Sequence, residues 1–143
     1  MWIKKVDKKV VVLIKDLCYN FGMEKIFEEF DIEVTEEQAE KLEKYYRMIV
    51  ECNEKFNITA ITDRREVYVK HFVDSLLFKD ELKSGKLLDV GSGGGLPAIP
   101  LAIVNEYLRV TTLEATGKKC EFLSEVIDKL GLKNVKVING RAE

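Results

Sequence analysis

The sequence is poor in the residues that build the commonest functional sites. It has one histidine and three cysteines in 143 residues. Cys18, Cys52 and Cys120 stand far apart, and no CxxC or Cys/His cluster is present. Neither a disulfide framework nor a zinc site is suggested, no metal is expected, and the chain reads as cytoplasmic. Asp74 and Ser75 follow the single His71, but no cysteine or second histidine completes a nucleophilic set, which leaves no hydrolase reading. Long hydrophobic runs are also missing. The run over 10–14 falls far short of the roughly 20 residues a membrane helix needs, and no small-residue cleavage site follows it. No membrane partner is expected. Nor is there an excess of one charge: 23 basic residues meet 25 acidic ones, a net charge of −2. Dedicated nucleic-acid-binding domains are usually basic, so the charge balance gives no support for an RNA partner. Lys4, Lys5, Lys8 and Lys9, and the group Arg64, Arg65, Lys70 and His71, read by charge as solvated helix faces. No repeat or low-complexity stretch is visible.

What is present is enough for one folded domain. Hydrophobic residues make up 46% and charged residues 34%, which excludes a disordered chain. A chain this long can bury about 70% of its unfolded surface. Its character changes near residue 84, giving a helical region over 1–84 and an alternating strand–helix region over 85–143. Residues 3–30 suggest one or two helices broken near 20–22. Thr35 followed by Gln38 is a capping box, in which the hydroxyl satisfies an orphan N–H while the glutamine reaches back. Ala39, Leu42, Tyr46, Ile49 and Phe56 then fall near helical period. The stretch 57–63 (NITAITD) reads as a loop, because Asn, Thr and Asp bond locally to backbone. A further helix is expected over 65–78. Beyond it, strands are expected over 86–90, 109–114 and 135–138, separated by helices over 97–105 and 118–130, the second closed by Gly131. That alternation means parallel βαβ units with right-handed crossovers.

The chemistry concentrates at Asp89-Val90-Gly91-Ser92-Gly93-Gly94-Gly95, where a strand runs into closely spaced glycines just before a helix. Glycines permit positive φ in a tight turn and remove Cβ atoms that would block a ligand's approach. N–H groups at the helix start would face that ligand, and Pro97 suits the first turn, where its missing N–H is no loss. Asp89, Gly91, Gly93 and Gly95 match the acid followed by G-x-G-x-G of methyltransferases. The dinucleotide pattern G-x-G-x-x-G/A fails from Gly91 but succeeds from Gly93 through Gly95 to Ala98, so spacing alone leaves NAD open. Asp89 at the strand end and Pro97 in the loop favour S-adenosyl-L-methionine. Glu114, ending the second strand, is placed to accept hydrogen bonds from the ribose hydroxyls that both cofactors carry.

These residues, with the upstream segments Asn53-Glu54-Lys55-Phe56-Asn57-Ile58-Thr59-Ala60-Ile61-Thr62-Asp63 and Lys70-His71-Phe72-Val73-Asp74-Ser75, resemble the ribosomal RNA small subunit methyltransferase G family, also called the glucose-inhibited division protein B family. The similarity runs over about residues 23–143 and includes Leu88 through Ala102, Gly117-Lys118-Lys119 and Gly140-Arg141-Ala142-Glu143. The two upstream segments are specific to the family, whereas the glycine loop is generic. The resemblance implies a Rossmann-like S-adenosylmethionine-dependent methyltransferase fold, here the N-terminal half of its parallel sheet preceded by a helical segment. It implies methyl transfer to N7 of a guanine in 16S rRNA, on naked RNA or the small ribosomal subunit. By residue, the implied cofactor contacts are Asp89, Gly91, Ser92, Gly93, Gly95, Leu96, the ribose acid Glu114, and Ala142 and Glu143 at the adenine end. Asn57, His71, Asp74 and Ser75 become substrate-side candidates. No catalytic acid or base is nominated.

Two departures matter. Ala98 stands where the family usually has glycine. The family continues past the third strand, with an arginine that helps bind cofactor. The expectation is therefore that the 143-residue chain by itself transfers little or no methyl and self-associates through an open edge carrying Leu87, Leu88 and Val90. The alternatives are a methyltransferase with another acceptor and a non-enzymatic nucleotide-binding or interaction fragment.

Overall fold

The computed structural model of the chain describes residues 25–142. Lys4, Lys5, Lys8, Lys9, Cys18, most of the helical stretch expected over 3–30, and Glu143 lie outside those residues.

Helix α1 covers Glu36–Asn53 and starts as its capping box dictates. Thr35 Oγ1 accepts from the Gln38 N–H at 3.2 Å, and Gln38 Oε1 accepts from the Thr35 N–H at 2.9 Å. Ala39, Leu42, Tyr45 and Ile49 are fully buried. The sequence pattern pointed to Tyr46 instead. At a helical pitch the two tyrosines are about 100° apart. Tyr45 takes the core and Tyr46 lies half-buried at its margin. Phe56 falls beyond the helix end, half-buried against the same core.

Helix α2 spans 64–76 and departs from simple α geometry. Asp63 caps it, accepting from the Glu66 N–H at 3.0 Å. The stretch Val67–Val73 is π-helical, between short α segments at Arg64–Glu66 and Asp74–Leu76. Its buried residues are Val67, Tyr68, Phe72 and Val73, two pairs five residues apart, the repeat of an i→i+5 hydrogen-bond pattern. Tyr68 and Phe72 meet edge to face at 4.9 Å, and Tyr45 stacks on Phe72 at 5.4 Å, joining α2 to α1. Glu43 is buried between the same helices. It survives there because it is paired: Oε1 accepts from Arg64 at 2.8 Å and Arg47 at 3.3 Å, and Oε2 from the Tyr68 hydroxyl at 2.5 Å.

Strands β1 (Gly85–Val90), β2 (Leu108–Glu114) and β3 (Val135–Asn139) form a parallel sheet in the order β1-β2-β3. The register sets Asp89 beside Thr112 and Glu114 beside Asn139. Helix α3 (Ala98–Val104) and helix α4 (Gly117–Leu130) make the crossovers, with Gly131 closing α4 at φ 64°. The βαβ expectation therefore holds, with ends moved by a residue or two. In α3, the first six residues are buried, since α1 packs against it from outside the sheet.

The core is continuous from Ile26 to Leu132, so the helical region and the strand–helix region share one interior. Leu87, Val110, Val135 and Val137 pack toward it. The other sheet face is open among the described residues: Leu88 is 59% exposed, Val90 56% and Ile138 40%. Of the three apolar residues expected along the β1 edge, Leu87 turns inward, while Leu88 and Val90 face out.

Candidate functional site

Strand β1 ends in the turn 91–97, whose residues have different tasks. Gly91 and Gly93 sit at φ 70° and 56°, and a Cβ at either would meet no protein atom within 4 Å. These two need glycine for backbone conformation and leave open space above it. Gly94 and Gly95 need glycine for close approach. A Cβ on Gly94 would lie 2.5 Å from Ile58 Cγ2, and one on Gly95 would lie 2.5 Å from Ile99 and 2.8 Å from Leu123. Ser92 and Gly95 are buried, and Leu96 is half-buried.

The N–H groups of the turn are satisfied partly within it and partly by β2. The Gly91 N–H donates to Leu113 O at 2.8 Å, and those of Gly95 and Leu96 donate to Ser92 O at 2.8 and 3.3 Å. The Gly93 N–H donates to Glu114 Oε2 at 2.8 Å, and the Thr116 N–H to Glu114 Oε1 at 3.1 Å. Glu114, which closes β2, thus binds the turn that follows β1. Burial works against its charge, but the Gly93 and Thr116 N–H groups and Lys119 outweigh it and hold the carboxyl below its ordinary value. The Gly140 N–H donates to Glu114 O at 3.0 Å, bringing the end of β3 to the same place, with Ala142 exposed just beyond.

Asp89 lies under the turn, half-buried. Burial raises its pKa, and the Glu114 charge adds to that, while the Ala98 N–H at the start of α3 opposes it. Asp89 Oδ2 and Ser92 Oγ are buried without a hydrogen-bond partner among the described residues. The Tyr45 hydroxyl donates to Gly94 O. Its proton is held well above the ordinary tyrosine range by burial and by the charge of Asp89.

A second group of candidates lies upstream. His71 Nε2 pairs with Thr59 Oγ1 at 2.9 Å. Burial lowers the His71 pKa, partly offset by Asp74, which favours the neutral ring. The Ser75 hydroxyl donates to His71 O at 2.5 Å, whereas Asp74 and Asn57 are exposed. His71 and Ser75 are therefore tied into local structure. Ile58 joins this group to the first by its contact with Gly94. Sequence reasoning missed Tyr45, whose neighbour Tyr46 looked equally periodic, and did not single out Asn53, Ile58 or Thr59. The N-x-T-A-I-T-D segment contained the signal for Ile58 and Thr59, without showing what they touch.

A parallel sheet whose first strand feeds a glycine turn, with an acid from the second strand bound to that turn, is the Rossmann-like α/β arrangement of methyltransferases. Residues 38–143 match the family model described as GidB, rRNA small subunit methyltransferase G. The chain belongs to that family. It is 48% identical over 122 residues to ribosomal RNA small subunit methyltransferase G of Clostridium botulinum, covering 83% of this chain and 51% of that one. The protein of the same name from Clostridium perfringens is 45% identical over 134 residues, covering 92% of this chain and 52% of that one. The chain thus spans about half the length of the curated relatives it matches. A solved SAM-dependent methyltransferase from Aquifex aeolicus is 31% identical, with a TM-score of 0.45 over 55% of this chain and 43% of that one.

Because the Glu114 pKa is depressed on folding, its stabilising contribution is fully present above the ordinary glutamate value and lost as pH falls through the depressed one. Urea midpoints measured from about pH 5 down to about pH 3 should fall more steeply for the native sequence than for Glu114→Gln. Parallel curves would show that the Gly93–Glu114 bond carries no such linkage.

Proposed function

We propose that the chain provides the S-adenosylmethionine-binding half of a methyltransferase that modifies N7 of a guanine in 16S rRNA, within the small ribosomal subunit or its RNA. The observation that carries this is the open space over Gly91 and Gly93 beside the Glu114 carboxylate, in a chain of this family. The residues fit the cofactor. Gly91 and Gly93 form a cradle that any Cβ would fill. Asp89 Oδ2 and Ser92 Oγ are buried polar atoms without a partner among the described residues. Glu114 would hold the ribose, Ala142 would stand near the adenine, and Gly95 and Leu96 would complete the loop.

When bound, S-adenosylmethionine supplies a methyl group activated by a positively charged sulfur. Guanine N7 presents a lone pair and no proton, so the chain's task is alignment, which can contribute about 7–11 kcal/mol through effective molarity. No general base is required. His71 suits that, with Nε2 committed to Thr59 and its proton affinity lowered. Asn57 and Asp74, exposed on the neighbouring loop and helix, would border the RNA. A cytoplasmic location fits an rRNA substrate. Among the described residues, no helix is long and apolar enough to cross a membrane.

Tritiated-methyl transfer to small subunits lacking the modification tests this reading with full-length protein. Transfer is expected, and Gly93→Val should weaken S-adenosylhomocysteine binding by at least about tenfold in calorimetry. Unchanged affinity in that variant, or tight binding of NAD by the native protein, would overturn the assignment.

The exposed Leu88 and Val90 on β1, an edge strand of the described sheet, favour self-association of the 143-residue chain. Light scattering during size exclusion should give a mass above the 16.4 kDa of one chain, falling toward it in Leu88→Lys. A monodisperse monomer would refute this.

A further inference from the structure

Helix α1 reaches the glycine turn at two points. Tyr45 does so directly, through its hydroxyl on Gly94 O. Asn53, two turns later and the last residue of the helix, does so through the loop that follows. Its carboxamide makes no bond back into the helix. Oδ1 accepts from the Ile58 N–H at 2.7 Å and the Thr59 N–H at 3.1 Å, and Nδ2 donates to Thr59 O at 2.6 Å. One side chain therefore satisfies three backbone groups of the loop and fixes where Ile58 stands. Thr59 Oγ1 extends the arrangement, accepting from the Ile61 N–H at 3.1 Å and pairing with His71. Ile58 Cγ2 then lies 2.5 Å from where a Cβ of Gly94 would be, too close for one to fit. Gly94 has an ordinary φ, so it is glycine here because Ile58 is so close, not because the backbone demands it.

We propose that Asn53 is a positioning residue for the cofactor turn: by holding the 57–61 loop, it seats Ile58 on Gly94 and fixes the backbone from Gly93 to Leu96 in its binding-competent shape. This rests on the methyltransferase reading above for the identity of the ligand, but not for the mechanical link. A free loop would leave Gly94 with the Tyr45 hydroxyl but without the Ile58 side chain packed against it. Removal of Asn53 strips three partners at once from a part-buried loop, a loss large enough to shift its population between held and released forms.

The test uses full-length protein with S-adenosylhomocysteine as the calorimetric probe, and hydrogen exchange without ligand. Asn53→Ala and Ile58→Ala should each weaken binding by about tenfold, and the double variant should be little weaker than either single one, since both remove the same contact. Without ligand, the Gly93, Gly95 and Leu96 amides should exchange faster in both variants, while those of β2 and α4 keep their protection. Unchanged affinity, or losses that add fully in the double variant, would overturn the proposal, as would unaltered exchange at the turn. If Asn53→Ala does not fold, Ile58→Ala decides it by the same readouts. If native protein fails to bind the probe, the methyltransferase reading falls, and exchange at the turn still decides the role of Asn53.

Discussion

The hydrogen bond from the Gly93 N–H to the Glu114 carboxylate ties the end of one strand to the end of its neighbour. A parallel pair gives each strand its own exit at the same edge of the sheet, but nothing in the ladder orders the loops that leave it. Here one carboxylate does so. Its two oxygens take N–H groups from the turn after β1 and the turn after β2, and the adjacent carbonyl takes the Gly140 N–H after β3. Three strand ends thus converge on one residue. The bonds from the Gly93 and Thr116 N–H groups to Glu114 hold the backbone beside the open cradle, where Gly91 and Gly93 lie at positive φ.

The helical region completes this arrangement from the other side. It shares the core with the sheet, and its aromatic residues Tyr45, Tyr68 and Phe72 form the junction. The division of glycines follows from the packing. Where α1, α3, α4 and the 57–61 loop press inward, at Gly94 and Gly95, glycine makes room for protein. Where nothing presses, at Gly91 and Gly93, it makes room for something else. The upstream segments that mark the family therefore reach the glycine turn, His71 pairing with Thr59 and Ile58 packing on Gly94.

Much of this was legible in the sequence because it rests on local chemistry. Thr35 and Gln38 signalled a helix start, Gly131 an end, and the short apolar runs over 86–90, 109–114 and 135–138 signalled strands. The position of Glu114 at the end of its strand made it a site candidate, although its bonds to Gly93 and Thr116 did not show. What stayed hidden depends on tertiary contact. Tyr45 and Tyr46 are indistinguishable until a neighbour selects one face. The π-helical turns of α2 carry no distinct composition. Asn53 looks like an ordinary helix end, since its partners lie in a loop whose path the sequence does not give. The glycine pattern was visible, but not which glycines face protein.

The central claim is that the open space at Gly91 and Gly93, bounded by Glu114, receives an adenosine-bearing methyl donor. Titration of isotopically labelled protein with S-adenosylhomocysteine, followed by amide chemical shifts, tests it most directly. The account predicts shifts concentrated at Gly91, Ser92, Gly93 and the residues after Glu114, and none of comparable size with NAD. Shifts confined to other surfaces, or an equal response to NAD at the same amides, would contradict it.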